Sequence, residues 1–272
     1  MSPSHAVSVE GTPVEVLDVG VGPPVLLLHG SGPGTTGSGA WGTTAEALAG
    51  RWRLVAPDQA GFGGSPLPPG ARGGLRVWTD RAAALMEALG LGSYAVVGHS
   101  MGGAVALALA ASRPQQVTQV VAVSTMGAPG APLSPALDML WGTTPGESGA
   151  RAVLQALVHD ESHVTDAAVR SRAAAIEAGA PAYAALFPPP RQRWVDDLTL
   201  PPALLAAVIA PVLLIHGADD EVTPLATATS PLVEHLPDVR VHVLDRCGHV
   251  PQLEHPDAFQ GLLAGFLDDE PS

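Results

Sequence analysis

The stretch YAVVGHSMGGAVALALA, residues 94–110, decides the fold. It opens on a short apolar run that predicts a strand, crosses Gly98-His99-Ser100-Met101-Gly102, and continues as an alanine-rich segment that predicts a helix. A strand that becomes a helix within two residues must bend sharply. The residue at the bend takes strained backbone angles that only small neighbours tolerate. Glycines two positions before and two after Ser100 meet that demand. G-x-S-x-G in this strand–turn–helix setting predicts that Ser100 is a nucleophile lifted above a sheet, not an incidental turn serine.

A serine hydroxyl is a poor nucleophile until a base takes its proton, and the base needs an acid to orient it. Downstream of Ser100 the chain offers both, each just past an apolar run. PVLLIHGADDEVTP (211–224) carries three acids, Asp219, Asp220 and Glu221, and VHVLDRCGHVPQLEHP (241–256) carries His249 in a loop after Gly248. A tetrahedral intermediate also needs amide donors for its oxyanion. One expected donor is the N–H of Met101, next to the nucleophile, and the other is the N–H of Ser31 in the loop HGSGPG (29–34). That loop has neither G-x-G-x-x-G nor G-K-[ST], so nucleotide binding is not expected. His29, His99 and His216, each at a strand end, are read as hydrogen-bonded structural histidines, and Asp58 as a tie for its own turn. The histidine spacings fit no metal motif such as H-E-x-x-H, so no metal site is expected.

Outward from this centre, apolar runs recur at 24–30, 53–58, 117–124, 211–217 and 239–245. They are unbroken rather than alternating, which fits strands covered on both faces by helices. Helices are expected at about 40–50, 77–90, 101–113 and 255–268, which gives α/β class with a mostly parallel, doubly wound sheet. AVSV and VEVLDV, separated by Glu10-Gly11-Thr12-Pro13, predict a hairpin at one sheet edge. Between about 130 and 205 the rhythm changes to helical patterns alone: ALDMLWG, GARAVLQALVHD, DAAVRSRAAAIEAG and RQRWVDDL. A helical insertion between strands of a parallel sheet predicts a cap over the strands' C-terminal ends, where such sheets bind ligands. The expected division is core 1–130, cap 131–205 and core 206–272, with Leu137, Leu140, Leu154 and Leu157 burying the cap.

Length and charge set outer bounds. A chain of 272 residues can bury a large core, roughly 70–75% of its unfolded surface. Thirteen Lys and Arg against twenty-six Asp and Glu give a net charge of −13, which argues against nucleic-acid partners, since phosphate binding needs clustered cations. Cys247 is the only cysteine, so no intrachain disulfide forms and a cytoplasmic setting is the default. The first twenty residues lack the basic flank and apolar core of a signal peptide. The longest apolar run, LPPALLAAVIAPVLLIHG, is broken by Pro201, Pro202 and Pro211 and predicts a short helix then a strand, not a membrane span. Partners are expected to be small molecules. The sequence leaves a homo-oligomer open.

These motifs together resemble the α/β-hydrolase fold. The acid loop of that family commonly reads Gly-x-x-Asp-x-x-x-Pro, and Gly217, Asp220 and Pro224 match it, so the resemblance selects Asp220, with Asp219 as the alternative. Over nearly the whole chain, cap included, the sequence resembles the meta-cleavage product hydrolases, particularly the 2-hydroxymuconic semialdehyde hydrolases. HGSGPG, LVHDESHVTDAAVRSRAAAIEAG, FPPPRQRWVDDL and DRCGHVPQLEHPDAF carry that likeness. The resemblance implies cofactor-free hydrolysis of a C–C bond in vinylogous 1,5-diketo acids formed by aromatic ring cleavage. It also implies that Arg172 holds the substrate carboxylate, which suits a chain whose overall charge repels anions. Two positions depart from that family: His99 stands where asparagine is usual before the nucleophile, and Val250 where tryptophan is usual after the histidine. GHSMGG is the common spelling among esterases, so carboxylic ester or lactone hydrolysis on the same scaffold is the alternative. A ligand-binding protein that keeps the triad without useful turnover is a third reading.

Overall fold

Alternation of apolar residues between two faces builds the sheet. The computed structural model describes residues 4–269. Strands β1 (His5–Val9) and β2 (Thr12–Val19) form the expected antiparallel edge hairpin, whose turn residues Glu10 and Gly11 both have positive φ, 48° and 77°. β3 (Pro24–Leu28), β4 (Arg53–Pro57), β5 (Tyr94–His99), β6 (Val117–Val123), β7 (Val212–Gly217) and β8 (Val239–Leu244) complete one sheet in the order β1-β2-β4-β3-β5-β6-β7-β8. β2 joins β4 antiparallel, and all pairings from β4 to β8 are parallel.

Both faces of the central strands are covered, which is why their sequences are unbroken apolar runs. In β3, Leu26 and Leu28 enter one core, while Val25 and Leu27 enter the other. The first core contains α2 (Leu75–Ala88) and α3 (Met101–Ser112); the second contains Trp41 of α1 (Gly37–Leu48) and Phe259 of α11 (Pro256–Asp268). Every residue of α3 from Met101 to Ala110 is buried, so the helix after the serine is fixed by packing along its whole length.

Between β6 and β7 lie α4 (Pro135–Trp141), α5 (Glu147–Leu157), α6 (Asp166–Tyr183), α7 (Gln192–Leu198) and the short α8 (Pro202–Leu205). Serine and threonine caps start two of them. Ser134 accepts from Leu137 N at 3.1 Å and Thr165 from Ala168 N at 3.1 Å, satisfying amides that the first turn leaves open. Leu137, Leu140, Leu154 and Leu157 are all buried. Among the described residues, no helix is long and apolar enough to cross a membrane.

One expectation changes, and two helices were not expected. The run 239–245 is not covered on both faces: β8 is the outer strand, and Arg240, Val241, His242 and Val243 are exposed. Also, α9 (Leu225–Val233) follows β7 although Pro231 lies within it, and α10 (Pro251–Glu254) is a single turn directly after His249.

Candidate active site

Ser100 sits at φ 54°, ψ −117°, a conformation rarely open to a residue with a Cβ. The surrounding contacts over-determine it. Its N–H donates to Val123 O at 2.9 Å, and its carbonyl accepts from Gly103 N at 3.0 Å and Met126 N at 3.1 Å. A Cβ on Gly98 would come within 2.1 Å of Gly102 O, and one on Gly102 within 2.3 Å of Leu28 O. The two glycines of the motif are therefore demanded by backbone packed against backbone.

His249 stands just past β8 and Asp220 just past β7. Asp220 Oδ2 lies 2.8 Å from His249 Nδ1. Its Oδ1 accepts from the amides of Val222 and Thr223 at 2.8 and 2.9 Å, and the Thr223 hydroxyl lies 2.9 Å from Oδ2. His216 Nε2, which donates to Thr223 O at 2.7 Å, is 3.2 Å from the same Oδ2. Burial alone would raise the Asp220 pKa. The charge on His249 and the hydrogen bonds from His216 and His249 outweigh it and hold the carboxyl far below the usual carboxylate range. Asp219, the alternative acid, is half-exposed and faces His159 Nδ1 at 3.2 Å. The geometry joins Asp220, not Asp219, to His249. The bond at Nδ1 leaves Nε2 of His249 free to act as a base.

The structural reading of the other histidines holds. His29 donates from Nδ1 to Gly30 O at 2.7 Å and accepts Gln59 N on Nε2 at 2.9 Å, and burial lowers its pKa. His99 donates from Nε2 to the carbonyl of His249 at 2.8 Å. Burial, with the neighbouring His249 charge, pushes its pKa down to about 3, so it is neutral near pH 7. Asp58 does more than tie its own turn: it accepts Gly64 N at 2.8 Å and also Gly37 N at 2.7 Å, at the start of α1.

Ser100 and His249 line one cavity of about 430 Å³ together with Ser31 and Arg172. Leu137, Leu140, Leu154 and Leu157 from α4 and α5 supply apolar wall, and threonines 35, 36, 43 and 44 supply polar wall. Neither the Ser31 nor the Met101 N–H donates to an acceptor among the described residues. Arg172 donates from Nη1 to Pro33 O at 3.2 Å and Thr35 Oγ1 at 3.3 Å. No carboxylate pairs with it among the described residues, and burial lowers its pKa. The structure thus brings all six sequence-predicted site residues into one region.

Sequence reasoning missed three contributors. Gln252 lines the cavity, and its Oε1 is buried with no hydrogen-bond partner among the described residues. Trp141 donates from Nε1 to Ser31 Oγ at 2.9 Å, and Tyr183 donates its hydroxyl to Ser31 O at 2.8 Å. Gln252 had a local signal, one helical turn after His249. The two aromatics had none, since they lie 110 and 152 residues from Ser31. Among the described residues no cluster of His, Cys, Asp and Glu could hold a metal ion.

Comparisons with known proteins place this geometry. The family model for the alpha/beta hydrolase fold matches residues 23–256. The chain is 37% identical over 252 residues to a 2-hydroxymuconate semialdehyde hydrolase of Pseudomonas sp. strain CF600, covering 92% of this chain and 88% of that one. It is 37% identical over 262 residues to a 2-hydroxy-6-oxo-2,4-heptadienoate hydrolase of Pseudomonas putida, covering 96% and 94%. The meta-cleavage product hydrolase CumD from Pseudomonas fluorescens superposes with TM-score 0.93 at 33% identity, over 97% of both chains. A 2-hydroxy-6-oxo-6-phenylhexa-2,4-dienoate hydrolase from Rhodococcus superposes with TM-score 0.89 at 30% identity, over 98% of both. On these likenesses and on the elbow, acid and histidine described above, the chain belongs to the α/β-hydrolase fold family and, within it, to the meta-cleavage product hydrolases.

Proposed function

We propose that the protein hydrolyses the C–C bond of a vinylogous 1,5-diketo acid, a product of aromatic ring cleavage, with Ser100, His249 and Asp220 as its triad. The observation that carries the substrate class is Arg172: a half-buried cation on the cavity wall with no carboxylate partner among the described residues. A guanidinium has five N–H donors, and a buried cation left unpaired is costly. A substrate carboxylate would supply the missing charge, bound bidentately through the donors that Pro33 and Thr35 do not use. The unpaired Oε1 of Gln252 offers an acceptor to a substrate hydroxyl in the same cavity.

In this reading the dienol first becomes a ketone, its hydroxyl proton moving to the carbon next to the distal carbonyl. Ser100 Oγ then attacks that carbonyl while His249 Nε2 takes its proton and ionised Asp220 holds the imidazolium. The amides of Ser31 and Met101 receive the oxyanion. When the tetrahedral centre collapses, the C–C electrons flow into the enone, the proton held by His249 passes to the resulting enolate oxygen, and the first fragment leaves as a 2-hydroxydienoate with His249 neutral again. Water activated by His249 then releases the acyl group from Ser100 as a carboxylic acid. Residues 131–205 act as the cap that closes this cavity and sets substrate size. No cofactor enters these steps. The small-molecule partner is an anion, and the buried, unpaired thiol of Cys247 supports a cytoplasmic setting.

Val250 favours a second reading. It lines the cavity beside His249 and offers no side-chain donor at the position where the family usually has tryptophan. A site without that donor suits a carboxylic ester or lactone. The experiment is a pair of absorbance assays on the purified chain, one with a 2-hydroxymuconate semialdehyde-type dienoate and one with short p-nitrophenyl esters. The proposal expects the dienoate to have the higher kcat/KM. Ester turnover with no dienoate cleavage would replace it with the esterase reading.

A further inference from the structure

The oxyanion loop is poorly equipped to hold itself. Ser31 lies between Gly30 and Gly32, with Gly34 beyond at φ 72°, and the only backbone hydrogen bond within residues 30–35 among the described residues is Thr35 N to Gly32 O at 3.2 Å. Glycines flanking a donor loosen it, because each adds backbone freedom. An oxyanion donor must nevertheless sit within a few tenths of an ångström of its acceptor to be effective.

What fixes Ser31 comes from the helical insertion. Trp141, the last residue of α4, donates from Nε1 to Ser31 Oγ at 2.9 Å, and Tyr183, the last residue of α6, donates to Ser31 O at 2.8 Å. Ser31 is thus gripped at its side chain and at its carbonyl, on either side of the Cα that follows its own N–H. Both aromatics are buried and braced. The Trp141 ring stacks on Phe187 with centroids 4.5 Å apart and planes 1° from parallel. Tyr183 packs edge-on to Phe62 at 6.0 Å, and Phe62 in turn packs edge-on to His29 at 5.0 Å. Burial pushes the Tyr183 phenol well above its usual pKa, so it stays a neutral donor.

We propose that Trp141 and Tyr183 are positioning residues that set the oxyanion hole, so that seating the cap and arming the site are one event. An unseated cap would leave the Ser31 N–H unaimed, and it would also release the backbone of His249, whose N–H donates to Leu157 O of the insertion at 2.8 Å. The inference rests on the reading of Ser31 as an oxyanion donor.

The test uses the full chain with the variants Trp141→Phe, Tyr183→Phe, Ser31→Ala and the double variant Trp141→Phe/Ser31→Ala. Trp141→Phe keeps an aromatic ring against Phe187 while removing the donor, and Tm reports the cost of the smaller ring. Loss of a whole oxyanion donor costs on the order of 10²–10³ in kcat, so a loosened one should cost about tenfold. Each single variant is expected to lower kcat about tenfold on dienoate and ester alike, with KM within about twofold, since the effect is confined to the transition state. An alkyl boronic acid, which forms a tetrahedral adduct with a serine oxygen, should bind more weakly by a similar factor. The double variant should be no worse than Ser31→Ala, because the two changes delete the same contact. Additive losses in the double variant, or a lowered Tm with wild-type kcat in the singles, would overturn the proposal. If Trp141→Phe does not fold, Ser31→Ala and Tyr183→Phe decide, and wild-type kcat in both overturns it. Wild-type protein inactive on both substrates would instead sink the hydrolase reading on which the proposal rests.

Discussion

His99 donates from Nε2 to the carbonyl oxygen of His249 at 2.8 Å, with the two rings 4.7 Å apart. The residue before the proposed nucleophile thus holds the backbone of the proposed base, joining the end of β5 to the loop after β8. His99→Phe would remove the donor and leave a buried carbonyl unpaired, at a cost of about 1–3 kcal/mol. For a chain of this size that predicts a fall in Tm of roughly 2–4 °C per kcal/mol. Scanning calorimetry checks it, and an unchanged Tm would show that the bond contributes nothing.

Acid sensitivity follows from the same residue. Folded His99 resists protonation down to about pH 3, whereas the unfolded chain takes up that proton near 6.5. Across that window the unfolded state binds more protons, so stability rises with pH and falls on acidification. His29, also lowered, acts in the same direction. Asp220, depressed from 3.8, adds stability that is lost only at still lower pH. His99→Asn should reduce the slope of unfolding free energy between pH 4.5 and 6.5 by up to about 1.4 kcal/mol per pH unit. Urea titrations at several pH values measure it, and an unaltered slope would refute the assignment.

Within the triad, Ser100→Ala should lower kcat by on the order of 10⁶, and Asp220→Asn by about 10⁴. Asp219→Asn should have little effect, because Asp219 faces His159 rather than His249. A fluorophosphonate probe should label Ser100. Labelling elsewhere, or a larger loss from Asp219→Asn than from Asp220→Asn, would contradict this arrangement.

Arg172→Ala removes the proposed carboxylate contact, worth about 1.5–3 kcal/mol for a charge-assisted bond. At 1.36 kcal/mol per decade, kcat/KM on an acidic dienoate should fall about 10–150-fold. The contact to Pro33 and Thr35 is lost with any substrate, so a neutral ester serves as the reference. The dienoate loss should exceed the ester loss at least tenfold by the same arithmetic. Equal losses on both would remove Arg172 from substrate binding.

Gln252 carries a buried, unpaired Oε1 in the cavity wall. Replacing it with leucine deletes an unsatisfied polar group, so Gln252→Leu should leave Tm unchanged or higher. The same change should raise KM for the dienoate by roughly tenfold, as expected from about 1.4 kcal/mol of a lost hydrogen bond. A lower Tm with unchanged KM would mean that the amide serves the fold instead.

The sequence alone determined the strands, the elbow and the chain order of the proposed serine, acid and histidine. Strand-to-helix turns and unbroken apolar runs are local properties, written within ten residues of where they act, whereas the contact that demands Gly102 comes from Leu28 across the sheet. The resemblance carried by Gly217, Asp220 and Pro224 favoured Asp220 over Asp219, but the two adjacent aspartates part only in three dimensions. There, Asp220 turns inward to His249 and Asp219 outward to His159. The exposure of β8 was legible but misread: VRVHVL alternates valine with Arg240 and His242, the pattern of a strand not covered on both faces, and only its outer place in the sheet had to come from the fold. The grip of Trp141 and Tyr183 on Ser31, the bond from His99 to His249 and the unpaired amide of Gln252 were decided by tertiary structure. Each depends on side chains meeting across the fold or on a partner that is missing there, and no periodicity or motif in one dimension records such a meeting.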